Sequence, residues 1–112
     1  MRMRKKQWAE PFLKEHREIV IENPNEMKGQ WRHKLNCESL HVEIGSGKGD
    51  YWCKMADIFK QDGWIGIEKN RSVAAVAVKK AVSLENKNML FIALDAQNID
   101  QWFDEEEVNV LH

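Results

Sequence analysis

The sequence predicts an α/β fold built around a parallel sheet, and two patterns support that prediction. Short runs rich in β-branched and aromatic residues alternate with stretches whose apolar residues recur at helical spacing. A glycine-rich turn at 45–49 follows the first of these runs, as expected where a strand passes directly into a helix. Since strand–helix–strand units form parallel sheets with right-handed crossovers, we expect a Rossmann-like domain with a partial sheet of four strands.

The elements expected after residue 36 are strand, helix, strand, helix, strand, helix and strand. The strands are predicted at 40–44, 64–68, 89–94 and 108–112. The helices are predicted at 50–60, 72–84 and 99–103. Ser72 is expected to cap the second helix, and the acidic residues 104–107 are expected to form a turn before the last strand. In such sheets ligands bind beyond the carboxyl ends of the strands, so residues that follow a strand are the candidates for a site.

Residues 1–36 are predicted to form an N-terminal helical arm, separate from the first half of an α/β domain at 37–112. Pro11 suits the first turn of a helix, and Asn23-Pro24 suits its end. The apolar and aromatic residues between them recur at helical spacing: Phe12, Leu13, His16, Ile19 and Val20. We therefore expect one helix in the arm, followed by a loop.

Composition narrows the class of protein. The 112 residues are 43% hydrophobic and 31% charged, which is typical of a globular domain. No apolar run has the length that crosses a membrane, and the N-terminus lacks the apolar stretch of a secretion signal. We therefore expect a cytoplasmic protein with no membrane partner and with reduced cysteines. Cys37 and His41 are not joined by a second pair of ligands, so no metal is assigned.

Basic residues are concentrated at the front of the chain. Residues 1–36 contain nine Lys or Arg against five Asp or Glu, and residues 37–112 contain eight against thirteen. A basic arm of this kind either contacts nucleic acid or forms a solvated surface. Trp8 and Trp31 are expected either to stack on bases or to anchor the arm by packing. The candidate RNA-binding residues are Arg2, Arg4, Lys5 and Lys6.

The glycine-rich loop Gly45-Ser46-Gly47-Lys48-Gly49 has three competing interpretations. A Walker phosphate loop is excluded, because it needs glycine where the chain has Val42 and Ser or Thr where it has glycine at position 49. A dinucleotide fingerprint needs a third glycine where the chain has Asp50. The third interpretation is a binding site for S-adenosylmethionine, a ligand that carries no phosphate. Its ammonium, sulfonium and ribose hydroxyls favour carboxylates beside the loop.

Carboxylates end three successive predicted strands. Glu43 comes just before the glycine loop, where it suits the cationic methionine portion of the ligand. Glu68 ends the second strand, the position from which an acidic side chain accepts hydrogen bonds from ribose hydroxyls in this topology. Asp95 ends the third strand and, with Ala96, suits the adenine ring. One such acid is commonly just solvated, but three at consecutive strand ends indicate a binding site.

These residues resemble the bacterial tRNA (guanine-N7-)-methyltransferases over nearly the whole chain. The shared motifs are Arg2-Met3-Arg4-Lys5-Lys6-Gln7-Trp8-Ala9, Asn23-Pro24, Lys28-Gly29-Gln30-Trp31, Glu43-Ile44-Gly45-Ser46-Gly47-Lys48-Gly49, Gly66-Ile67-Glu68 with Ser72-Val73, and Leu94-Asp95-Ala96. The glycine loop is common to many methyltransferases, whereas the basic arm and the Asn-Pro to Gly-x-Trp segment are more specific. The resemblance implies the S-adenosylmethionine-dependent methyltransferase fold and methyl transfer to N7 of a guanine in tRNA.

The resemblance also implies roles for individual residues. Family positions that contact S-adenosylmethionine match Glu43, Glu68 and Asp95, and the family's glycine loop matches Gly45, Gly47 and Gly49. Family members continue after the fourth strand into an Asp-Pro-Trp-Pro segment, which supplies a further cofactor-binding and catalytic acid. We therefore expect that the sequence is truncated after His112, that it holds no catalytic residue, and that alone it does not methylate tRNA.

Two other functions are compatible with the sequence. The first is a non-catalytic fragment that binds the cofactor or self-associates through an exposed sheet edge. The second is a fragment of an NAD-dependent oxidoreductase that uses the same loop and places Glu68 on the ribose. Asp50 at the third glycine position argues against the second function.

Overall fold

The computed structural model describes residues 6–112 and shows a four-stranded parallel sheet with helices on both faces. The strands are β1 (Leu40–Ile44), β2 (Gly63–Ile67), β3 (Met89–Ile92) and β4 (Val110–Leu111), in the spatial order β3-β2-β1-β4. The α-helices within this range are α1 (Ala9–Glu15), α2 (Trp31–Leu35), α3 (Asp50–Ile58) and α4 (Arg71–Leu84). Short 3-10 helices occupy Pro24–Met27 and Ala96–Gln101. The predicted α/β fold with four parallel strands is confirmed.

The sheet is buried between two apolar layers. On one face, Trp52, Trp64 and Phe91 pack with residues of α1 and α4. On the other face, Trp31 of α2 packs with Trp102, which follows the second 3-10 helix. Every residue of β2 and β3 is buried, as expected for parallel strands covered on both sides.

The fourth strand is shorter than predicted, and the residue before it binds β1 through both its backbone and its side chain. The paired register of β4 with β1 covers Val110 and Leu111, and His112 N donates to Val42 O at 2.8 Å beyond it. Asn109 Oδ1 accepts hydrogen bonds from Leu40 N at 2.8 Å and from Arg32 Nη2 at 3.0 Å. Asn109 N also donates to Leu40 O at 2.9 Å, so hydrogen bonding to β1 begins at position 109 and the paired register begins at Val110. Both residues of β4 are exposed, and self-association through this edge stays a prediction.

The helix of the arm ends earlier than predicted, because the backbone after it pairs with the sheet. α1 ends at Glu15, so the predicted continuation to Val20 is wrong. Phe91 N donates to Ile19 O at 2.8 Å, and Ile21 N donates to Phe91 O at 2.9 Å. This segment therefore lies parallel to the outer edge of β3, and that pairing buries its apolar side chains without a helix.

The short helix α2 was not predicted, and it is held by the acidic turn before β4. The buried carboxylate of Glu107 accepts hydrogen bonds from Gly29 N at 3.0 Å, Trp31 N at 3.1 Å and Asp104 N at 2.9 Å. Trp31 is fully buried, and its indole Nε1 donates to Trp102 O at 2.7 Å. The predicted turn therefore also satisfies amides at the start of α2, which a buried position requires.

Helix α4 is capped by Asn70, so the predicted cap at Ser72 is wrong. Asn70 Oδ1 accepts a hydrogen bond from Val73 N at 3.1 Å. Ser72 is buried in the first turn, and its Oγ accepts a hydrogen bond from Lys6 N at 3.2 Å. The arm is therefore attached to the beginning of α4. Within residues 6–112, neither this 14-residue helix nor any other is long and apolar enough to cross a membrane.

Candidate cofactor-binding site

The predicted site residues lie at the carboxyl ends of the strands, beside the point where the strand order reverses. β2 and β3 follow on one side of β1, and β4 lies on its other side. In open parallel sheets such a reversal leaves a crevice beyond the carboxyl end of the first strand, and ligands bind there. The glycine loop that joins β1 to α3 borders this crevice.

The glycine loop is bound to the end of β2 by its own backbone. Gly45 N and Ser46 N both donate to Ile67 O, at 2.9 and 2.8 Å. Gly47 N donates to Oε1 of Glu68 at 2.9 Å. Gly45 and Gly47 adopt φ values of 73° and 58°, in the left-handed region that favours glycine. The alternating glycines therefore allow the loop to turn back onto β2.

The three loop glycines differ in what surrounds them. A Cβ added at Gly45 or Gly47 would meet no atom within 4 Å, so the space beside both residues is open. A Cβ at Gly49 would lie 2.6 Å from the Cβ of Ala77, because the start of α3 packs closely on α4. Gly45 and Gly47 therefore border space that a ligand can fill, whereas Gly49 is required for helix packing.

Glu68 connects the loop to the start of the next helix. Its Oε1 accepts the hydrogen bond from Gly47 N, and its Oε2 accepts one from Asn70 N at 3.0 Å. Each carboxylate oxygen has a further lone pair, so these bonds leave acceptor capacity for the hydroxyl groups of a ligand. Glu68 thus orders the loop in addition to its predicted role on the ribose.

A cleft of about 310 Å³ joins four of the predicted residues. Gly45 and Glu68 line it after β1 and β2, and Asp95 and Ala96 line it after β3. The apolar part of its surface comes from Ile44, Ile67 and Leu94. Its volume lies at the lower end of the range of about 300–1,000 Å³ that ligand pockets occupy.

The other predicted residues do not line this cleft. They are Glu43, Gly47 and Gly49. Gly47 is connected to the cleft indirectly, because its N–H donates a hydrogen bond to Glu68, which lines the cleft. Glu43 belongs to β1, and its Oε1 is buried with no hydrogen-bond partner among the described residues. A buried oxygen of this kind costs free energy, so a cationic or donor group of a ligand would be stabilised there.

Asp95 is fixed at the cleft by the 3-10 helix that it begins. Its Oδ1 accepts a hydrogen bond from Gln97 N at 3.0 Å, which makes it the cap of Ala96–Gln101. The side chain is exposed. A ligand in the cleft can therefore reach this carboxylate without displacing other protein groups.

Of the residues predicted to bind RNA, Lys6 lies within the described range. The other three lie outside it: Arg2, Arg4 and Lys5. Lys6 is exposed and joins the fold through its bond to Ser72, at the beginning of α4. Trp31 is fully buried and anchors the fold by packing. Trp8 is 40% exposed, with Lys79 Nζ 5.3 Å from its ring centre, so part of its ring stays accessible and its contact with RNA stays a prediction.

The cysteines are not candidate nucleophiles. Burial raises the pKa of Cys53 to about 11 and also raises the pKa of Cys37. Both thiols therefore stay protonated near neutral pH. In the part of the chain that the structure describes, no group of three or more His, Cys, Asp or Glu is arranged to hold a metal ion.

The turn between β2 and α4, and the first residue of α4, include residues that the sequence analysis did not select. Lys69 lines the cleft. Arg71 Nη1 donates to Ala93 O at 3.0 Å, and its Nε and Nη2 donate to Glu10. The position directly after Glu68 is a signal that could have identified Lys69. The partners of Arg71 are distant in sequence, and no local pattern reveals them.

Comparison with known proteins identifies the family. A family model described as "Putative methyltransferase" matches residues 37–112. The tRNA (guanine-N(7)-)-methyltransferase of Limosilactobacillus reuteri (strain DSM 20016) is 36% identical over 109 residues. Proteins of the same name from Listeria monocytogenes serotype 4b (strain F2365) and Bacillus subtilis (strain 168) are each 38% identical over 109 residues. The chain belongs to the tRNA (guanine-N7)-methyltransferase family.

These tRNA (guanine-N7)-methyltransferases are longer than the chain. The alignments cover 96% of this chain and 51% of each of the three relatives. The chain therefore spans about half the length of the curated relatives it matches. The resemblance to the N-terminal part of this methyltransferase family is confirmed, together with the Rossmann-like fold.

Gly49→Ala should destabilise this methyltransferase domain more than Gly45→Ala. Both changes put a side chain at positive φ, which costs about 1–2 kcal/mol. Only the change at Gly49 also forces a Cβ to within 2.6 Å of Ala77, and such overpacking adds about 1–3 kcal/mol. Urea denaturation followed by circular dichroism measures both free energies of unfolding. Equal losses would contradict the assignment of Gly49 to packing.

Proposed function

We propose that this chain binds S-adenosylmethionine and forms the cofactor-binding part of an enzyme that methylates N7 of a guanine in tRNA. The observation that carries the proposal is the cleft between Glu68 and Asp95, which opens beside the glycine loop in a member of a methyltransferase family. The relatives from Limosilactobacillus reuteri and Bacillus subtilis are named tRNA (guanine-N(7)-)-methyltransferase. Those names support guanine N7 in tRNA as the methyl acceptor.

The donors and acceptors at the site fit S-adenosylmethionine better than a ligand that carries phosphate. The open space beside Gly45 and Gly47 lets a ligand approach the backbone closely. The unpartnered buried oxygen of Glu43 suits the positive charge of the methionine portion. The carboxylates of Glu68 and Asp95 would repel a phosphate but accept hydrogen bonds from hydroxyl and amino groups.

The side of the cleft after β2 suits the ribose of the cofactor, and the side after β3 suits its adenine ring. Glu68 has acceptor capacity left after its bonds to Gly47 and Asn70, so we assign it to the ribose hydroxyls. Asp95 is exposed beside Ala96, and we assign both to the adenine ring. The apolar contacts for the base would come from Ile44, Ile67 and Leu94.

Methyl transfer to guanine N7 depends more on the alignment of donor and acceptor than on acid or base catalysis. When bound, S-adenosylmethionine supplies a methyl group activated by its sulfonium. Guanine N7 has an in-plane lone pair and attacks without first losing a proton, so no general base is required. The role of Glu68 and the glycine loop is to hold the donor in a fixed orientation. Alignment of donor and acceptor contributes up to about 7–11 kcal/mol to the lowering of the barrier.

The basic arm is the proposed contact for tRNA. The cations assigned to phosphate groups are Arg2, Arg4, Lys5 and Lys6. Lys6 is bonded to Ser72 in the first turn of α4, the helix that follows Glu68, which supports an arm close to the cleft. Binding through such contacts weakens steeply as salt is added.

An NAD-dependent oxidoreductase is a weaker candidate. In the dinucleotide fingerprint, the third glycine allows close packing of the helix. Here Gly49, one position earlier, fills that role against Ala77. The fingerprint position holds Asp50, the exposed first residue of α3. A carboxylate at that helix end repels the pyrophosphate that a dinucleotide would bring to it.

Glu68→Ala should weaken the binding of S-adenosylmethionine. The change removes the proposed ribose acceptor and the anchor for Gly47 N. Hydrogen bonds to a charged group are worth about 1.5–3 kcal/mol, so the Kd should rise about ten- to hundredfold. Titration calorimetry measures the Kd. Glu15→Ala, which removes an exposed acid at the end of α1, is the matched control and should bind like the wild type. Unchanged affinity in Glu68→Ala would remove this residue from the site.

Transfer of labelled methyl groups to unmodified tRNA tests the acceptor. The resemblance puts the catalytic acid in an Asp-Pro-Trp-Pro segment that residues 1–112 do not contain. We therefore expect salt-sensitive tRNA binding without transfer by this chain, and guanine N7 methylation by the Bacillus subtilis relative as the positive control. Methylation of guanine N7 above background by residues 1–112 would contradict the absence of catalytic residues. Methylation of a different base would contradict the proposed acceptor.

A further inference from the structure

Arg71, the first residue of α4, links the two sides of the proposed cofactor cleft. Its Nη1 donates to Ala93 O at 3.0 Å, directly after β3. The residues that follow line the cleft on that side: Leu94, Asp95 and Ala96. On the other side, Glu68 and Lys69 line the cleft just before Arg71. One guanidinium therefore joins the segment that follows β2 to the segment that follows β3.

The arm fixes the orientation of this guanidinium. Glu10 of α1 accepts hydrogen bonds from Arg71 Nε at 2.6 Å and from Nη2 at 3.0 Å. Glu22 accepts a longer one from Nη2 at 3.4 Å. The bidentate contact with Glu10 restricts angle as well as distance. The three side chains are 27–36% exposed, so solvent screens their attraction and the orientation of the group is the main consequence.

The arm is attached to the same turn of α4 at further points. Lys6 N donates to Ser72 Oγ at 3.2 Å, next to Arg71 in the chain. Leu13 of α1 is buried in the same apolar layer as Ala74 of α4. α1 and the beginning of α4 therefore form one packed unit, and the cleft residues before α4 are connected to the arm.

We propose that Arg71 is a positioning residue that sets the separation of the ribose and adenine sides of the cleft and couples it to the N-terminal arm. This inference rests on the proposed function, because Arg71 acts on the cofactor through Glu68 and Asp95. Arg71 itself does not line the cleft. Loss of its hydrogen bonds changes cofactor affinity through the geometry of the cleft, with no direct contact removed.

Arg71→Met in the complete 112-residue chain tests this role. The methionine keeps an apolar stem but offers no donor to Ala93 O or Glu10. We expect the Kd for S-adenosylmethionine to rise about tenfold, equal to about 1.4 kcal/mol, at a temperature where circular dichroism reports a folded variant. Lys60→Met is the matched control, because it removes an ion pair with Asp57 at the far end of α3 and should leave the Kd unchanged.

A purely stabilising role would give a different result. It predicts a lower Tm for Arg71→Met and a wild-type Kd for the molecules that are folded. The positioning role predicts a higher Kd in the folded protein. Wild-type affinity in folded Arg71→Met therefore overturns the proposal.

Two further variants decide the question if Arg71→Met does not fold. Arg71→Lys keeps the charge but cannot make a bidentate contact with Glu10, so the Kd should rise less than in Arg71→Met. Glu10→Gln keeps the donor to Ala93 O and weakens its orientation, so the Kd should also rise. When Arg71→Lys and Glu10→Gln are combined, the loss of binding free energy should be smaller than the sum of the two single losses, because the two residues contact each other. Additive losses, or wild-type affinity in both single variants, overturn the proposal.

The same measurements distinguish failure of the proposed cofactor binding from failure of the positioning role of Arg71. If the wild-type chain does not bind S-adenosylmethionine, the proposed function and the positioning role are both overturned. If the wild-type chain binds it and the Arg71 and Glu10 variants bind equally well, only the positioning role is overturned.

Discussion

The hydrogen bonds between the glycine loop and the end of β2 are the constraint on which the proposed site depends. Gly45 N and Ser46 N share the carbonyl of Ile67, and Gly47 N binds the carboxylate of Glu68. That carboxylate also accepts from the amide at the start of the turn into α4. The loop, the strand end and the helix start therefore form one hydrogen-bonded unit before a ligand arrives. Preorganisation of this kind lowers the entropy lost on binding.

The N-terminal residues complete this unit from both faces of the sheet. The segment after α1 pairs with the edge of β3 through Phe91, and Arg71 joins α1 to the end of the same strand. On the opposite face, Glu107 holds the start of α2, and Trp31 fills the apolar layer under β1 and β2. The described part of the arm, from Lys6 onward, is therefore part of the structure that supports the cleft.

Local patterns predicted most of the features whose causes are local, although the cap of α4 is Asn70 and not the predicted Ser72. The strand at Leu40–Ile44, the glycine loop and the acids at 43, 68 and 95 follow from short runs, turn chemistry and strand ends. The end of α1, the cap of α2 and the partners of Arg71 depend on contacts far apart in sequence. Glu107 lies 76 residues from Trp31, and Arg71 lies 61 residues from Glu10. No periodicity encodes such pairs, because each depends on how the finished sheet brings distant segments together.

Backbone amide NMR of the isotope-labelled chain, titrated with S-adenosylhomocysteine, tests most directly where the cofactor binds. The largest shifts should fall on the amides of Gly45, Gly47, Glu68 and Ala96, around the cleft at the carboxyl ends of the strands. A cleft of about 340 Å³ at the opposite end of the sheet, among Ile19, Leu35 and Met89, provides the comparison. Shifts confined to that second cleft, no shifts at all, or an equal response to NAD would contradict the assignment of the glycine loop and the strand-end acids to S-adenosylmethionine.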